Sequence, residues 1–106
     1  MTLTKAFKET VKARADRDPA FRRALVAEAL NCLVEGDVAT MKTMLRDYIN
    51  ATDGFAVVAD AIGKSPKGLM RSLGATGNPQ LDTLAPIVAY AARKEGIGRL
   101  VAVADD

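Results

Sequence analysis

The apolar residues of this chain recur at intervals of three and four positions, the spacing of one face of an α-helix. The pattern is clearest in residues 38–52, where the stripe consists of Val38, Met41, Leu45, Tyr48 and Ile49. Asp37 stands directly before the stripe and can accept hydrogen bonds from the free N–H groups of a first helical turn. We therefore predict a helix over residues 38–51 that buries this stripe.

A second predicted helix comes before this one, and local signals bound it. Asp18 can cap it, Pro19 is favoured at the first helical position, and Gly36 ends it after Glu35. One apolar stripe consists of Phe21, Leu25, Ala29, Cys32 and Leu33, and a second adds Val26, Leu30 and Val34. Two stripes predict a helix that is covered on more than one side, with Cys32 as a small core residue.

Residues 4–16 form a predicted first helix, which Thr4 can cap. Its inner face consists of Phe7, Val11 and Arg14 or Ala15. The other positions are mostly polar and basic. Because the surface is the default place for lysine and arginine, a solvated face is favoured over an arm that contacts DNA or a partner protein.

The last apolar stripe consists of Leu81, Leu84, Val88 and Ala91 or Ala92, and it predicts a helix to about Lys94. Pro86 would remove a backbone hydrogen bond from the interior of this helix. We therefore expect a start at Asp82 or Thr83, or a kink. Residues 99–104 could form a short strand, which a second copy of the chain would have to pair, or a frayed apolar tail.

Between these helices, residues 52–73 predict two short helices joined by a tight turn. The first runs from Gly54 or Phe55 to Ile62, and the second from Pro66 to near Leu73. Ala59 and Gly63 stand four residues apart. A small residue lets the helices approach closely, and a glycine supplies the turn conformation, often with positive φ. Ser65 is expected to cap the second helix, and Val58, Ile62 and Leu69 to face inward.

Charge gives this segment a candidate function. Lys64, Lys67 and Arg71 are all basic, and no acidic residue occurs between Asp60 and Asp82. A short helix after a glycine turn, apolar on one face and basic on another, is how a helix-turn-helix presents its recognition helix to the DNA major groove. We predict groove contacts from Lys67, Met70 and Arg71 and phosphate contacts from Lys64 and Ser65.

Other groups could add contacts to the DNA backbone. The N–H groups of Gly54 and Phe55, at a helix N-terminus, could hold a phosphate. Thr76 and Asn78 lie in a loop by composition, although helix capping is a competing role for Asn78. Gly68 costs about 1 kcal/mol in helix propensity relative to alanine. Close approach to DNA or to a packing helix would explain that glycine.

Composition limits the alternatives. The 106 residues suit one domain, and 49% are hydrophobic, enough for a real core. The net charge of +2 does not suit a non-specific nucleic-acid coater, so any DNA binding depends on where the charges lie. One cysteine and no histidine argue against an internal disulfide, a metal site and a histidine-based triad. No cofactor is expected.

The scattered acidic residues form no general acid/base pair, so we do not expect an enzyme. The longest apolar runs fall short of the roughly 18–20 residues that span a bilayer. The N-terminal residues lack the apolar centre of a secretory signal. We therefore expect a soluble cytoplasmic protein with no membrane partner.

The sequence VADAIGKSPKGLMRSLGATGNPQLDTL also resembles a known family, the helix-turn-helix regulators of lambda-repressor or Xre type. It is most similar to the HigA-like probable addiction-module antidotes. The matching positions are Ala59, Gly63, Ser65, Gly68, Leu69, Arg71, Gly77, Asn78 and Pro79. The resemblance covers roughly residues 37–95. The sequence departs from the family pattern at Phe55, Lys64 and Pro66, where a polar, an apolar and a polar residue are usual.

The resemblance implies an all-α fold of five or six helices, with a lambda-repressor-like helix-turn-helix domain over 37–106. Residues 1–36 would be an N-terminal helical extension packed on the same core. It also implies a homodimeric repressor that binds a palindromic operator, as the antitoxin of a type II toxin–antitoxin pair with a small ribonuclease toxin. The alternative is a protein-interaction module that binds a partner such as the toxin and binds DNA weakly or not at all.

Overall fold

The computed structural model describes the backbone of residues 5–98 and the side chains of residues 10–98. Within that range the chain forms six helices and no strand. They are α1 (Lys5–Arg17), α2 (Pro19–Val34), α3 (Val38–Ala51), α4 (Phe55–Ile62), α5 (Pro66–Ser72) and α6 (Leu81–Lys94). The predicted all-α class with a helix-turn-helix is confirmed. The predicted strand at 99–104 and the capping residue Thr4 lie outside the described residues.

Three helices begin where short-range capping predicts. The Asp18 carboxylate accepts the N–H of the third residue of α2 at 3.1 Å. The Asp37 carboxylate does the same for α3 at 3.1 Å, and the Ser65 hydroxyl for α5 at 3.0 Å. Each bond satisfies one of the N–H groups that a helix leaves without an internal partner.

The core is organised around α3. Its Met41, Leu45, Tyr48 and Ile49 are all at most 2% exposed, as the stripe predicts. α2 packs against α3 and brings Val26, Ala29 and Cys32 into the same apolar cluster. The helices α4, α5 and α6, with the C-cap residue of α5, complete that cluster with Phe55, Val58, Ala59, Leu69, Leu73, Leu84, Ile87 and Ala91. α2, which lies before residue 37, therefore shares its core with the helix-turn-helix.

Two expectations about burial at helix ends are wrong. Val34, assigned to the second stripe of α2, is 79% exposed, and Val38, assigned to the stripe of α3, is 41% exposed. Both residues flank the turn that joins α2 to α3. An apolar residue is buried only where a neighbouring element covers it, and helix ends next to a connecting turn can extend beyond the zone that their partners cover.

The last helix does not have the late start at Asp82 or Thr83 that was one of the two predicted alternatives. α6 begins at Leu81, because the Gln80 carbonyl accepts the N–H groups of Thr83 and Leu84 at 3.0 and 2.8 Å. Leu81 is 82% exposed, so it does not belong to the inner stripe. Pro86 lies inside the helix, which continues through it. Along the described residues, no helix is long and apolar enough to cross a membrane.

Candidate nucleic-acid interface

The turn between α4 and α5 has the conformation that its glycine suggests. Gly63 ends α4 with φ of 72° and ψ of 34°, the left-handed region that L-residues with a side chain avoid. This lets the next N–H, that of Lys64, reach back to the Ala59 carbonyl at 2.9 Å and close the end of α4. Ala59 itself is fully buried, as expected of a small residue where two helices meet.

α5 is anchored through its inner face. Leu69 and Leu73 are at most 1% exposed, and Val58 of α4 is equally buried, while Ile62 is only partly buried. A methyl group at Gly68 would lie 2.8 Å from the Ser65 hydroxyl. The neighbour that a side chain here would meet is the capping serine and not a packing helix, so the expected approach of a packing helix is not observed, and close approach to DNA stays a prediction.

The opposite face of α5 is open and positively charged. Lys67, Met70 and Arg71 are exposed, and so are Lys64 and Ser65 in the turn. Among the side chains of residues 10–98, the ion pairs are Lys12–Asp16, Arg14–Asp18, Arg22–Glu95 and Lys94–Asp53. None of these pairs involves a cation of α5 or of the turn, so this positive charge is not neutralised within the described residues.

One predicted phosphate contact is wrong. The N–H of Gly54 donates to the Ile49 carbonyl at 2.8 Å and closes the C-terminus of α3, so it is not free for a ligand. Carbonyl groups at a helix end need such donors, and the sequence pattern does not reveal this use. The Phe55 side chain is buried. Phe55 is the first residue of α4, and no side chain caps the N-terminus of that helix.

The loop between α5 and α6 carries the other two predicted contacts. Thr76 and Asn78 are both exposed. The residue before α6 is Gln80, and the start of α6 has no side-chain cap, so the capping role considered for Asn78 is not observed. Gly77 packs closely against the C-terminal end of α5. A Cβ added to Gly77 would lie 2.0 Å from the Arg71 carbonyl oxygen.

Two basic residues of α3 contact this loop, and the sequence analysis missed them. The Lys42 ammonium donates to the carbonyl groups of Gly77 at 2.5 Å and Ala75 at 3.4 Å, although Lys42 is only 7% exposed. The Arg46 guanidinium donates to the Leu73 carbonyl at 3.1 Å. Their spacing could have indicated that they act together, since residues four apart in a helix lie on the same face.

A buried acidic residue lies at the end of α6. Glu95 is 6% exposed and accepts hydrogen bonds from the Arg22 Nε at 3.0 Å and the Tyr48 hydroxyl at 2.5 Å. Burial, and then the bond to Glu95, raise the pKa of the Tyr48 hydroxyl. Every polar atom of this cluster that the structure places in the core has a partner, which is typical of a structural contact.

A polar cleft of about 280 Å³ lies beside that cluster, lined by Ala15, Asp16, Arg22, Thr52, Asp53 and Lys94. In it, Asp53 accepts hydrogen bonds from the Tyr90 hydroxyl and from the Lys94 ammonium at 3.0 Å. Partial burial, and then the bond to Asp53, raise the pKa of Tyr90 to about 12. The two cations that line this cleft, Arg22 and Lys94, are each paired with a carboxylate, whereas those of α5 have no such partner among the described residues.

Comparison with known proteins adds no identification, since no family model, curated protein or solved structure matches the chain. The resemblance to lambda-repressor-type regulators therefore stays a prediction.

Proposed function

We propose that this chain is a sequence-specific DNA-binding protein that places α5 in the major groove. The observation that carries the proposal is the basic surface formed by Lys64, Lys67 and Arg71, which pair with no carboxylate among the side chains of residues 10–98. It lies on a helix-turn-helix whose second helix is anchored by its opposite face. A fixed helix with free cations suits recognition of a polyanion that also displays base edges in a groove.

The exposed side chains have distinct roles in this proposal. Arg71 can donate two parallel hydrogen bonds to guanine, Lys67 can donate to guanine O6 or N7, and Met70 supplies apolar contact to a thymine methyl. Lys64 contacts a phosphate as a point charge. The Ser65 oxygen already accepts the capping bond within α5, but its hydroxyl hydrogen can still be donated to a phosphate.

Backbone contacts at the edges of the surface would fix the register. In this proposal the N–H of Phe55, at the start of α4, donates to a phosphate. The N–H of Gly54 does not, because it already donates to the Ile49 carbonyl. Thr76 and Asn78 can contact the sugar–phosphate backbone from the loop after α5. Such contacts orient a protein on the duplex without reading its sequence.

The biological setting is proposed from the resemblance. A homodimer would double the phosphate contacts and read two halves of a palindromic operator, which supplies the selectivity that a small net charge lacks. The protein would then be a cytoplasmic transcriptional repressor and the antitoxin of a type II pair. Sedimentation of the purified chain tests the dimer. A neighbouring gene for a small ribonuclease, and co-purification of its product, test the antitoxin role.

The direct test is a mobility-shift assay with duplexes that tile the DNA immediately upstream of the chain's own gene, over a series of salt concentrations. Affinity should fall steeply with salt, because phosphate contacts release counterions. Lys67→Ala/Arg71→Ala should weaken binding to the best duplex by at least about tenfold, since a base contact contributes roughly 1–3 kcal/mol. Arg23→Ala/Arg93→Ala removes the same charge from exposed positions elsewhere and should have a much smaller effect.

Equal losses for the two double variants would refute the assignment of α5 as the recognition helix. No shift at low salt with any duplex, including duplexes selected from a random pool, would refute DNA binding. Capture of a defined toxin by the same protein would then favour the interaction-module alternative.

A further inference from the structure

The most unusual charged group in the described part of the chain is the ammonium of Lys42. The residue is only 7% exposed, and its hydrogen-bond partners are two backbone carbonyl groups, those of Ala75 and Gly77. No carboxylate pairs with it among the side chains of residues 10–98. Removing an ammonium from water is unfavourable, and methionine at this position could fill a similar volume without that penalty. The charge therefore needs an explanation beyond packing.

The groups that Lys42 and Arg46 contact all belong to the end of α5 and the loop that follows. Arg46 donates to the Leu73 carbonyl, and Lys42 donates to carbonyl groups two and four residues further on. Cations close to a helix C-terminus satisfy carbonyl groups that lack internal partners and interact favourably with the helix dipole. The two side chains thus join α3 to the C-cap residue of α5 and to the loop that follows it.

α5 needs such external support. It has seven residues, which is far too short for a helix to be stable on its own. Its inner face is held by Leu69 and Leu73, but apolar contacts are not directional and permit small rotations. Hydrogen bonds to its C-cap residue, Leu73, and to the loop fix a direction as well as a distance.

We infer that Lys42 and Arg46 are positioning residues, which hold α5 and the loop 74–79 at the orientation required for reading DNA sequence. Lys42 does so from inside the protein, without contact to DNA. The inference rests on the proposed function, and it adds that selectivity between sequences depends on side chains of α3 that lie behind the recognition helix. Binding to unrelated DNA depends mainly on total charge and is far less sensitive to this orientation.

The test compares Lys42→Met and Arg46→Met with Lys12→Met, which removes the same charge from an exposed position on α1. The first measurement is hydrogen exchange of the Gly74 and Gly77 amides, with the Lys64 amide in the other turn as an internal control. The second is affinity for the best upstream duplex and for an unrelated duplex of equal length. Thermal unfolding of each variant shows whether the whole fold is retained.

We expect the exchange of the two loop amides to be about ten- to a hundredfold faster in Lys42→Met, as for loss of a charged hydrogen bond. The Lys64 amide should be unaffected. The ratio of affinities for the best and the unrelated duplex should fall by about fivefold or more, a typical coupling between positioning and binding. Lys12→Met should weaken both duplexes equally. If Lys42→Met does not fold, Arg46→Met, whose side chain is only partly buried, provides the same comparison.

Unchanged exchange at Gly74 and Gly77 would overturn the inference, and so would a fall in affinity that is equal for both duplexes. If the unmodified chain binds no duplex at low salt, the proposed function fails and the claim about selectivity fails with it. Faster loop exchange in the variants would in that case still establish the contact between α3 and α5 as a structural one. The two failures are therefore distinguishable.

Discussion

Arg22 joins three helical segments, so replacing it should destabilise the whole fold. Its Nε donates to Glu95 at 3.0 Å after the end of α6, and its Nη1 donates to the Ala15 carbonyl in α1 at 2.5 Å. The Glu95 side chain is 2% exposed, and the Tyr48 hydroxyl is its second donor. Arg22→Met keeps most of the apolar stem but leaves the carboxylate with Tyr48 alone.

The expected loss follows from this geometry. Removing one partner of a buried ion pair typically costs about 3–5 kcal/mol, because an uncompensated charge is left behind. The Arg22 side chain is 23% exposed, so water can enter the vacated space, and the bond from Tyr48 remains. We therefore expect the lower end, about 3 kcal/mol. For a domain of this size that corresponds to a fall in Tm of roughly 10–20 °C.

The assay is urea unfolding, followed by circular dichroism, of Arg22→Met, Glu95→Gln and the double variant. Glutamine retains an acceptor for Tyr48 but carries no charge. The double variant should therefore lose at least about 1 kcal/mol less than the sum of the two single losses, as expected for residues in direct contact. A loss below about 1 kcal/mol for Arg22→Met, or additive effects of the two substitutions, would refute the reasoning.

Three further predictions concern the turn, the loop and pH. Gly77→Ala should lower the free energy of unfolding by about 2 kcal/mol or more in urea titrations, because its Cβ would lie 2.0 Å from the Arg71 carbonyl oxygen; wild-type stability would contradict the close contact. Ser65→Ala should lower it by about 1 kcal/mol through loss of the cap of α5, whereas Ser65→Asp should retain most of that stability. Hydrogen bonding from Tyr90 lowers the pKa of Asp53, so its stabilisation is present above its unfolded pKa of about 3.9 and is lost as pH falls through the lower folded value. Between about pH 7 and about pH 3, Asp53→Asn should therefore lose less stability than the unmodified chain, and equal losses would show that Asp53 does not contribute.

Short-range chemistry explains why much of the fold is predictable. A cap depends on a side chain and an N–H group three residues away, so Asp18, Asp37 and Ser65 specify the starts of α2, α3 and α5 from local sequence. Gly63 likewise ends α4 through its own backbone conformation. The stripe of α3 is predictable because a helix has a fixed period and one side of this helix faces the core.

The errors occur where the outcome depends on what covers a residue. Val34 and Leu81 are apolar and stand at helical spacing, yet both are exposed because no described element lies over them. Gly54 reads as a free helix N-terminus, yet its N–H closes the preceding helix. In each case the neighbour belongs to another segment, and periodicity carries no information about that neighbour.

For the candidate interface, local sequence signals predict the helix pair, its glycine turn and the positive sign of its outer charges. How the helices pack leaves these cations without a carboxylate partner in the part of the chain that the structure describes, and it brings two further basic residues behind them. The partners of Lys42 are 33 and 35 residues away and that of Arg46 is 27 residues away, separations at which spacing cannot identify a contact. The physical reason is that helix formation and capping act within one or two turns, whereas burial and pairing of charges are decided by how the helices pack.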